Sequence, residues 1–289
     1  MGVLAQGVVR EGAAKAKRRN VLDLQLKGRR ALVTGSSSGI GEGIARMLAA
    51  EGCAVVVHGR NRERAEKVAA DIAAAGVAIG ELSTDEGAAA VHAAAVKALG
   101  GNVEILINNA GGGSTGSDSR PPLNITSEEW LISYQGNTVS SVRMCLLAVP
   151  DMVAAKWGRV IQVSSAVALQ PNGLGSDYSG AKASLNNFTV SLAGSLQGAG
   201  VTVNTVTPGI IVGEGLIRWG REKYADPDMP IDEITRRMAA EKIFDLPPAG
   251  RLGTAEDVAA VTCLLASPLS GFVTGSNYRV DGGQVRAVL

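Results

Sequence analysis

The chain has 289 residues, 46% of them hydrophobic, with a mean hydropathy of +0.15. That is enough to bury a sizeable core in one large α/β domain or two small ones. A formal net charge of +1 gives no global reason to expect nucleic acid or an anionic membrane as partner, and no apolar run reaches the ~18 residues of a membrane span. Cys53, Cys145 and Cys263 lie far apart without a CxxC pair, which argues against a disulfide framework or a zinc site and for free thiols in a reducing compartment, the cytoplasm. His58 and His92 are too few and too separated for a metal centre. With aromatics at 3%, the core must be built from Ala, Val, Leu and Ile.

Residues 1–25 carry Arg10, Lys15, Lys17, Arg18 and Arg19 with little apolar periodicity. They read as a flexible or surface-packed extension; an organelle transit peptide is the alternative, and no secretory h-region is present. Arg30–Thr34 reads as a buried strand, followed by the Gly/Ser turn Gly35–Gly41 and a helix over Ile40–Glu51 with Ile44, Met47 and Leu48 on one face. Ala54–His58 is a second strand, Arg62–Ala75 a charged helix, Val77–Leu82 a weaker strand and Asp85–Leu99 an Ala-rich helix. Val103–Ile107 is a fourth strand, ending in Asn108-Asn109-Ala110-Gly111, after which Gly112–Leu123 is a Gly/Ser/Pro-rich loop of mobile character. Thr126 to Glu129 reads as a capping box opening one long helix to about Ala155. Arg159–Val163 is a fifth strand, and the helix carrying Tyr178 and Lys182 runs to about Leu196. Val201–Val206 is a sixth strand, 210–250 lacks strand character, Thr254 caps a last helix to about Ala266, and Tyr278–Val280 is a final strand. Uninterrupted alternation of strand and helix predicts a single α/β domain over 26–289: a doubly wound, Rossmann-like parallel sheet of about seven strands with helices on both faces.

In such a sheet ligands bind beyond the carboxyl ends of the strands, and the chemistry-bearing residues fall there. Gly35, Ser36, Ser37, Ser38, Gly39, Ile40 and Gly41 follow a strand and open a helix. Glycines allow close backbone approach, and the helix N-terminus offers free N–H groups and partial positive charge to a phosphate. Tyr178 and Lys182 are four apart, one helical turn from each other. An ordinary Tyr titrates near ~10, and a neighbouring ammonium favours its phenolate, so the pair suits proton exchange near neutral pH.

The set Thr34-Gly35-x-x-x-Gly39-Ile40-Gly41, Asn108-Asn109-Ala110-Gly111, Ser165 thirteen residues before Tyr178, Tyr178-x-x-x-Lys182, Pro208-Gly209, Arg251-x-Gly253, Glu256-Asp257 and Val280-Asp281-Gly282-Gly283 resembles the short-chain dehydrogenase/reductase superfamily over about residues 26–285. The resemblance implies hydride transfer between a nicotinamide dinucleotide and a carbonyl or alcohol. Tyr178 would be the general acid or base. Lys182 would lower its pKa and bind the nicotinamide ribose. Ser165 would donate to the substrate oxygen, and Asn137, in the long helix, would hold a water linking Lys182 to solvent. The cofactor would lie along the 35–41 turn, Glu81, Leu82, Asn109, Ala110, Gly111, Pro208, Gly209 and Ile211. Where members that prefer NAD carry an acid after the second strand, this chain has Gly59 and then Arg60, which favours NADP(H) over NAD(H), with Ser36 as a further hydroxyl donor. Glu81 replaces a usual Asp near the adenine, and Gly213 a usual Thr near the carboxamide. Residues 214–250 are long for a substrate lid; Trp219, Tyr224, Met229, Met238 and Phe244 suit either an apolar mobile cover or a packed helical pair. A 3-oxoacyl-carrier-protein reductase, a sugar or polyol dehydrogenase, and a catalytically silent nucleotide sensor are the alternatives. The family also implies a homo-oligomer, tetramer or dimer.

Overall fold

Seven strands form one sheet: β1 (Arg30–Val33), β2 (Ala54–Gly59), β3 (Gly76–Ile79), β4 (Ile105–Asn108), β5 (Gly158–Val163), β6 (Val201–Pro208) and β7 (Asn277–Val280). The computed structural model describes residues 22–112 and 120–287; most of the basic N-terminal stretch and the middle of the Gly112–Leu123 loop lie outside the described residues. Every pairing is parallel, in the order β3-β2-β1-β4-β5-β6-β7. Parallel neighbours cannot be joined by tight hairpins, so helices return the chain and cover both faces.

Side chains alternate between two cores. Ala31, Val33, Ile105, Ile107, Ile161 and Val206 face α1 (Gly39–Ala50) and α9 (Ala255–Ala266). Leu32, Leu106, Val160 and Val203 face the opposite layer, which includes α3 (Asp85–Leu99) and α5 (Ser140–Ala154). Leu26 is buried in the first core, Leu24 packs on its edge, and Ser267 Oγ donates to the Leu24 carbonyl at 2.7 Å. Packing therefore begins ahead of residue 26, the expected boundary.

The second helix, α2, covers only Arg62–Asp71 rather than reaching Ala75. Ala73 adopts a left-handed φ of 48°, and the Ala74 N–H closes back on the Ala69 carbonyl, so the chain turns in time to start β3. The long helix expected from Thr126 to Ala155 is also interrupted. The capping box of Thr126 and Glu129 is present at α4 (Ser127–Tyr134), but Gln135–Val139 forms a π-helical turn before α5. Beyond α6 (Ser176–Ser195), residues 210–250 contain α7 (Glu214–Lys223) and α8 (Ile231–Ala240). These two helices enclose Met229, Ile234 and Met238, flanked by Tyr224 and Phe244, in a small core of their own.

Candidate active site

Strand order reverses between β1 and β4, and a crevice opens beyond their carboxyl ends. A cleft of about 310 Å³ lies there, lined by Gly35, Ser37, Ser38, Arg60, Glu81 and Gly111 among others. Its floor closes up only because side chains are missing. A Cβ on Gly41 would sit 2.4 Å from both the Gly35 carbonyl oxygen and Asn109 Nδ2, and one on Gly35 would lie 2.9 Å from the Ala110 Cα. Gly39, with φ 60°, starts α1, whose opening N–H groups have no intrahelical partner.

The turn is bolted to its neighbours. Thr34 Oγ1 donates to the Ile107 carbonyl and accepts the Asn109 and Ala110 N–H groups at 2.9 and 3.0 Å. Asn109 Nδ2 donates to the Thr34 and Gly35 carbonyls at 3.0 and 3.1 Å, so this side chain joins the β1 and β4 loops instead of reaching outward. The Ser36 hydroxyl is not the cleft donor expected from the sequence. It is fully buried, donating to the Val33 carbonyl at 2.7 Å and accepting the His58 N–H at 3.0 Å. Arg60 lies at the mouth as expected, but its Nη1 faces Glu81 Oε2 at 3.3 Å. Glu81 Oε1 accepts the Leu82 N–H at 3.0 Å, so the longer acid spends itself on Arg60 and on its own neighbour.

The other end of the crevice collects Asn137, Ser165, Tyr178 and Lys182 around the ends of β4 and β5. The π-helical turn makes this possible. Its Asn137 is buried and donates from Nδ2 to the Ser133 carbonyl at 3.0 Å, replacing the bond that the wider turn forgoes. The same amide donates to the Gly112 carbonyl at 3.1 Å and accepts the Gly112 N–H at 2.8 Å, pinning the chain beyond β4. Both amide protons are thereby used within the fold. Gly111 must lack a side chain, since its Cβ would meet Asn137 Oδ1 at 2.5 Å and Lys182 Nζ at 3.4 Å.

Lys182 is buried and its Nζ donates to the Val163 carbonyl at 2.8 Å. Burial pulls its pKa from the ordinary 10.5 to about 8. Nζ lies 5.8 Å from the centre of the Tyr178 ring. Tyr178 is half-buried in the first turn of α6, where the helix macrodipole favours negative charge. Two hydroxyls hold the middle of α6 in place: Thr138 Oγ1 donates to the Ala181 carbonyl at 2.7 Å, and Ser164 Oγ to the Lys182 carbonyl at 3.3 Å. Ser165 is half-buried just past β5, and its side chain makes no capping bond to the following turn.

Pro208 closes β6, and the Gly209 N–H donates to the Val280 carbonyl at 3.0 Å. Ile211 bridges Gly253, and the bonds from Gly253 N to Ile210 O and from Val212 N to Gly253 O turn Ile211's own N–H and C=O to the other edge. Sequence reasoning missed Gly112, Gly136 and Ser140 at the cleft and the supporting Thr34, Thr138 and Ser164. Only Thr34 carried a signal, as the residue opening the Gly-rich motif; Gly112, Gly136, Thr138 and Ser140 are placed by or beside the π-helical turn, and Ser164 by the packing of α6 on the end of β5.

A doubly wound sheet with a glycine cradle at its switch point, and a Tyr/Lys helix beside it, defines a dinucleotide-binding oxidoreductase. Residues 29–222 match the family model described as short chain dehydrogenase, and the chain belongs to the short-chain dehydrogenase/reductase family. It is 34% identical to the oxidoreductase YvaG of Bacillus subtilis over 92% of this chain and 100% of that one. It is 34% identical to the 3-oxoacyl-[acyl-carrier-protein] reductase FabG of Pseudomonas aeruginosa, over 90% and 98%. Among solved structures, L-sorbose reductase from Gluconobacter frateurii, complexed with NADPH and L-sorbose, superposes with a TM-score of 0.80 at 29% identity, covering 92% of this chain and 100% of that one. Among the described residues, no helix is long and apolar enough to cross a membrane.

Proposed function

We propose that the chain is an NADP(H)-dependent carbonyl reductase/alcohol dehydrogenase in which Tyr178 exchanges the proton. The observation that carries this reading is the convergence of Tyr178, buried Lys182, Asn137 and Gly111 next to the glycine cradle. The cofactor, when bound, supplies or accepts the hydride. The Gly35–Gly41 turn and the opening of α1 hold its phosphates, while Leu82, Ala110 and Gly111 wall the cleft and Pro208, Gly209 and Ile211 flank its far end. Ser165 donates to the substrate oxygen and stabilises the charge that develops there. Tyr178 hands its phenolic proton to that oxygen in reduction and takes it back in oxidation. The Lys182 ammonium and the α6 N-terminus both favour the phenolate left behind. Asn137 holds the Gly112 backbone clear of Lys182.

NADP(H) is favoured because Arg60 is exposed at the cleft mouth, after a β2 end that carries no acid. Arg60 also pairs with Glu81 through Nη1, which would compete with a 2′-phosphate, so a moderate preference over NAD(H) is expected. Steady-state kinetics with both cofactors test this, with a substrate found in a cofactor-oxidation screen of ketones, aldehydes, acyl thioesters and sugars. A kcat/KM for NADH equal to that for NADPH refutes the preference, and no turnover despite NADPH binding favours the nucleotide sensor. The FabG and sorbose reductase likenesses support acyl thioesters and ketoses as the first compounds to test. The free, buried Cys53, Cys145 and Cys263 suit the cytoplasm, and exposed Leu146, Val153 and Val190 on α5 and α6 suit a homo-oligomer.

A further inference from the structure

His58, set aside above as a metal ligand, is engaged through both ring nitrogens at the cleft floor. It is 3% exposed at the end of β2. Its ring Nδ1 accepts the Gly35 N–H at 2.9 Å, and its Nε2 lies 3.2 Å from the Gly80 carbonyl. A carbonyl can only accept, so Nε2 carries the proton and Nδ1 keeps its lone pair. Burial pulls the ring's pKa down to about 4 against the weaker raising pulls of the Gly80 carbonyl and Glu81, with Arg60 adding to the fall, and the neutral form is the one present near pH 7. The main chain of the same residue repeats the grip, with the Ser36 N–H donating to the His58 carbonyl at 2.8 Å and the His58 N–H donating to Ser36 Oγ. One residue thus ties the first glycine of the phosphate-facing turn to the loop after β3, where Glu81 and Leu82 form the opposite rim.

We propose that His58 is a positioning residue for the nicotinamide dinucleotide: its ring sets the spacing and orientation of the Gly35 turn relative to the Gly80–Leu82 rim. This rests on the dinucleotide reading above. The Gly35 N–H is directed into the fold, leaving the N–H groups from Ser37 onward to meet the phosphates. The two sides of the cleft then stand at a fixed separation before any nucleotide arrives, which lowers the ordering cost of binding.

Two substitutions separate the two ring contacts. An asparagine places Oδ1 near the Nδ1 position and keeps an acceptor for Gly35; a glutamine reaches toward Gly80 but offers Gly35 nothing. NADPH and NADH are titrated by fluorescence into the full chain without substrate, with thermal unfolding recorded alongside. Each variant cuts one end of the tie, so both are expected to raise the NADPH Kd by about tenfold or more while the melting temperature is largely kept. Unchanged NADPH affinity in either variant overturns the proposal. An unsubstituted chain that binds neither nucleotide overturns the dinucleotide reading itself. Ring ¹⁵N spectra of that chain at pH 6 provide a check that needs no variant: a neutral ring protonated on Nε2 is expected, and a cationic ring or the Nδ1–H tautomer overturns the proposal.

Discussion

Replacing Lys182 by methionine should stabilise the fold while removing activity. The ammonium is buried, and its pKa falls from 10.5 to about 8 because it has lost its water. That drop corresponds to a cost of ~3 kcal/mol for keeping the charge folded. Methionine has a similar length and carries no charge to bury, but it abandons the ammonium's hydrogen bond to the Val163 carbonyl, worth about 2 kcal/mol for a charged donor. A net gain of about 1 kcal/mol is expected at pH 7. Between pH 8 and 10.5 the unfolded lysine holds a proton that the folded one has shed, so the unsubstituted chain gains stability as pH rises through that window. The variant lacks that gain, and its advantage disappears by about pH 10. Urea unfolding of both chains without cofactor at pH 7, 8.5 and 10, followed by circular dichroism, measures the difference. Parallel pH profiles, or a variant less stable at pH 7, refute the reasoning.

Tyr178→Phe should cut turnover by about 10²–10⁴ while leaving NADPH affinity within a few-fold, measured by initial rates and direct titration. Undiminished turnover removes the phenol from the mechanism. Gly41→Ala should weaken NADPH binding by about tenfold or more, because the new methyl meets the Gly35 carbonyl and Asn109 Nδ2 at 2.4 Å; a titration matching the unsubstituted chain refutes it. Gly220→Ala should force α7 from α8, since its Cβ would lie 2.2 Å from Ile234 Cγ2. Faster proteolysis within 214–250 at unchanged NADPH affinity is the expected result, and unaltered cleavage counts against the close contact.

The succession of strands and helices along the chain, the position of the glycine turn and the Tyr178/Lys182 helix were legible in the sequence, because each rests on local signals. Continuous apolar runs mark strands buried on both faces, and 3.6-residue spacing marks the helices between them. The Thr126 capping box and the Thr254 cap were legible for the same reason: their partners lie three residues away. For residues 210–250 the sequence left a mobile cover and a packed helical pair both open, and the pairing of α7 with α8 depends on which apolar faces meet.

What only tertiary structure decided is where polar groups spend their hydrogen bonds. Ser36 looked like a ligand donor in sequence, but the strand beside it claims its hydroxyl. His58 looked idle, since its two partners lie 23 and 22 residues away along the chain. Tyr178 and Lys182 followed from spacing alone as a pair able to move a proton. The depth that lowers the Lys182 pKa, and the π-helical turn that brings Asn137 to Gly112, came from packing between elements far apart in the chain. Spacing sets which side chains share one helix face; only the folded environment sets their hydration and their partners, and with them their chemistry.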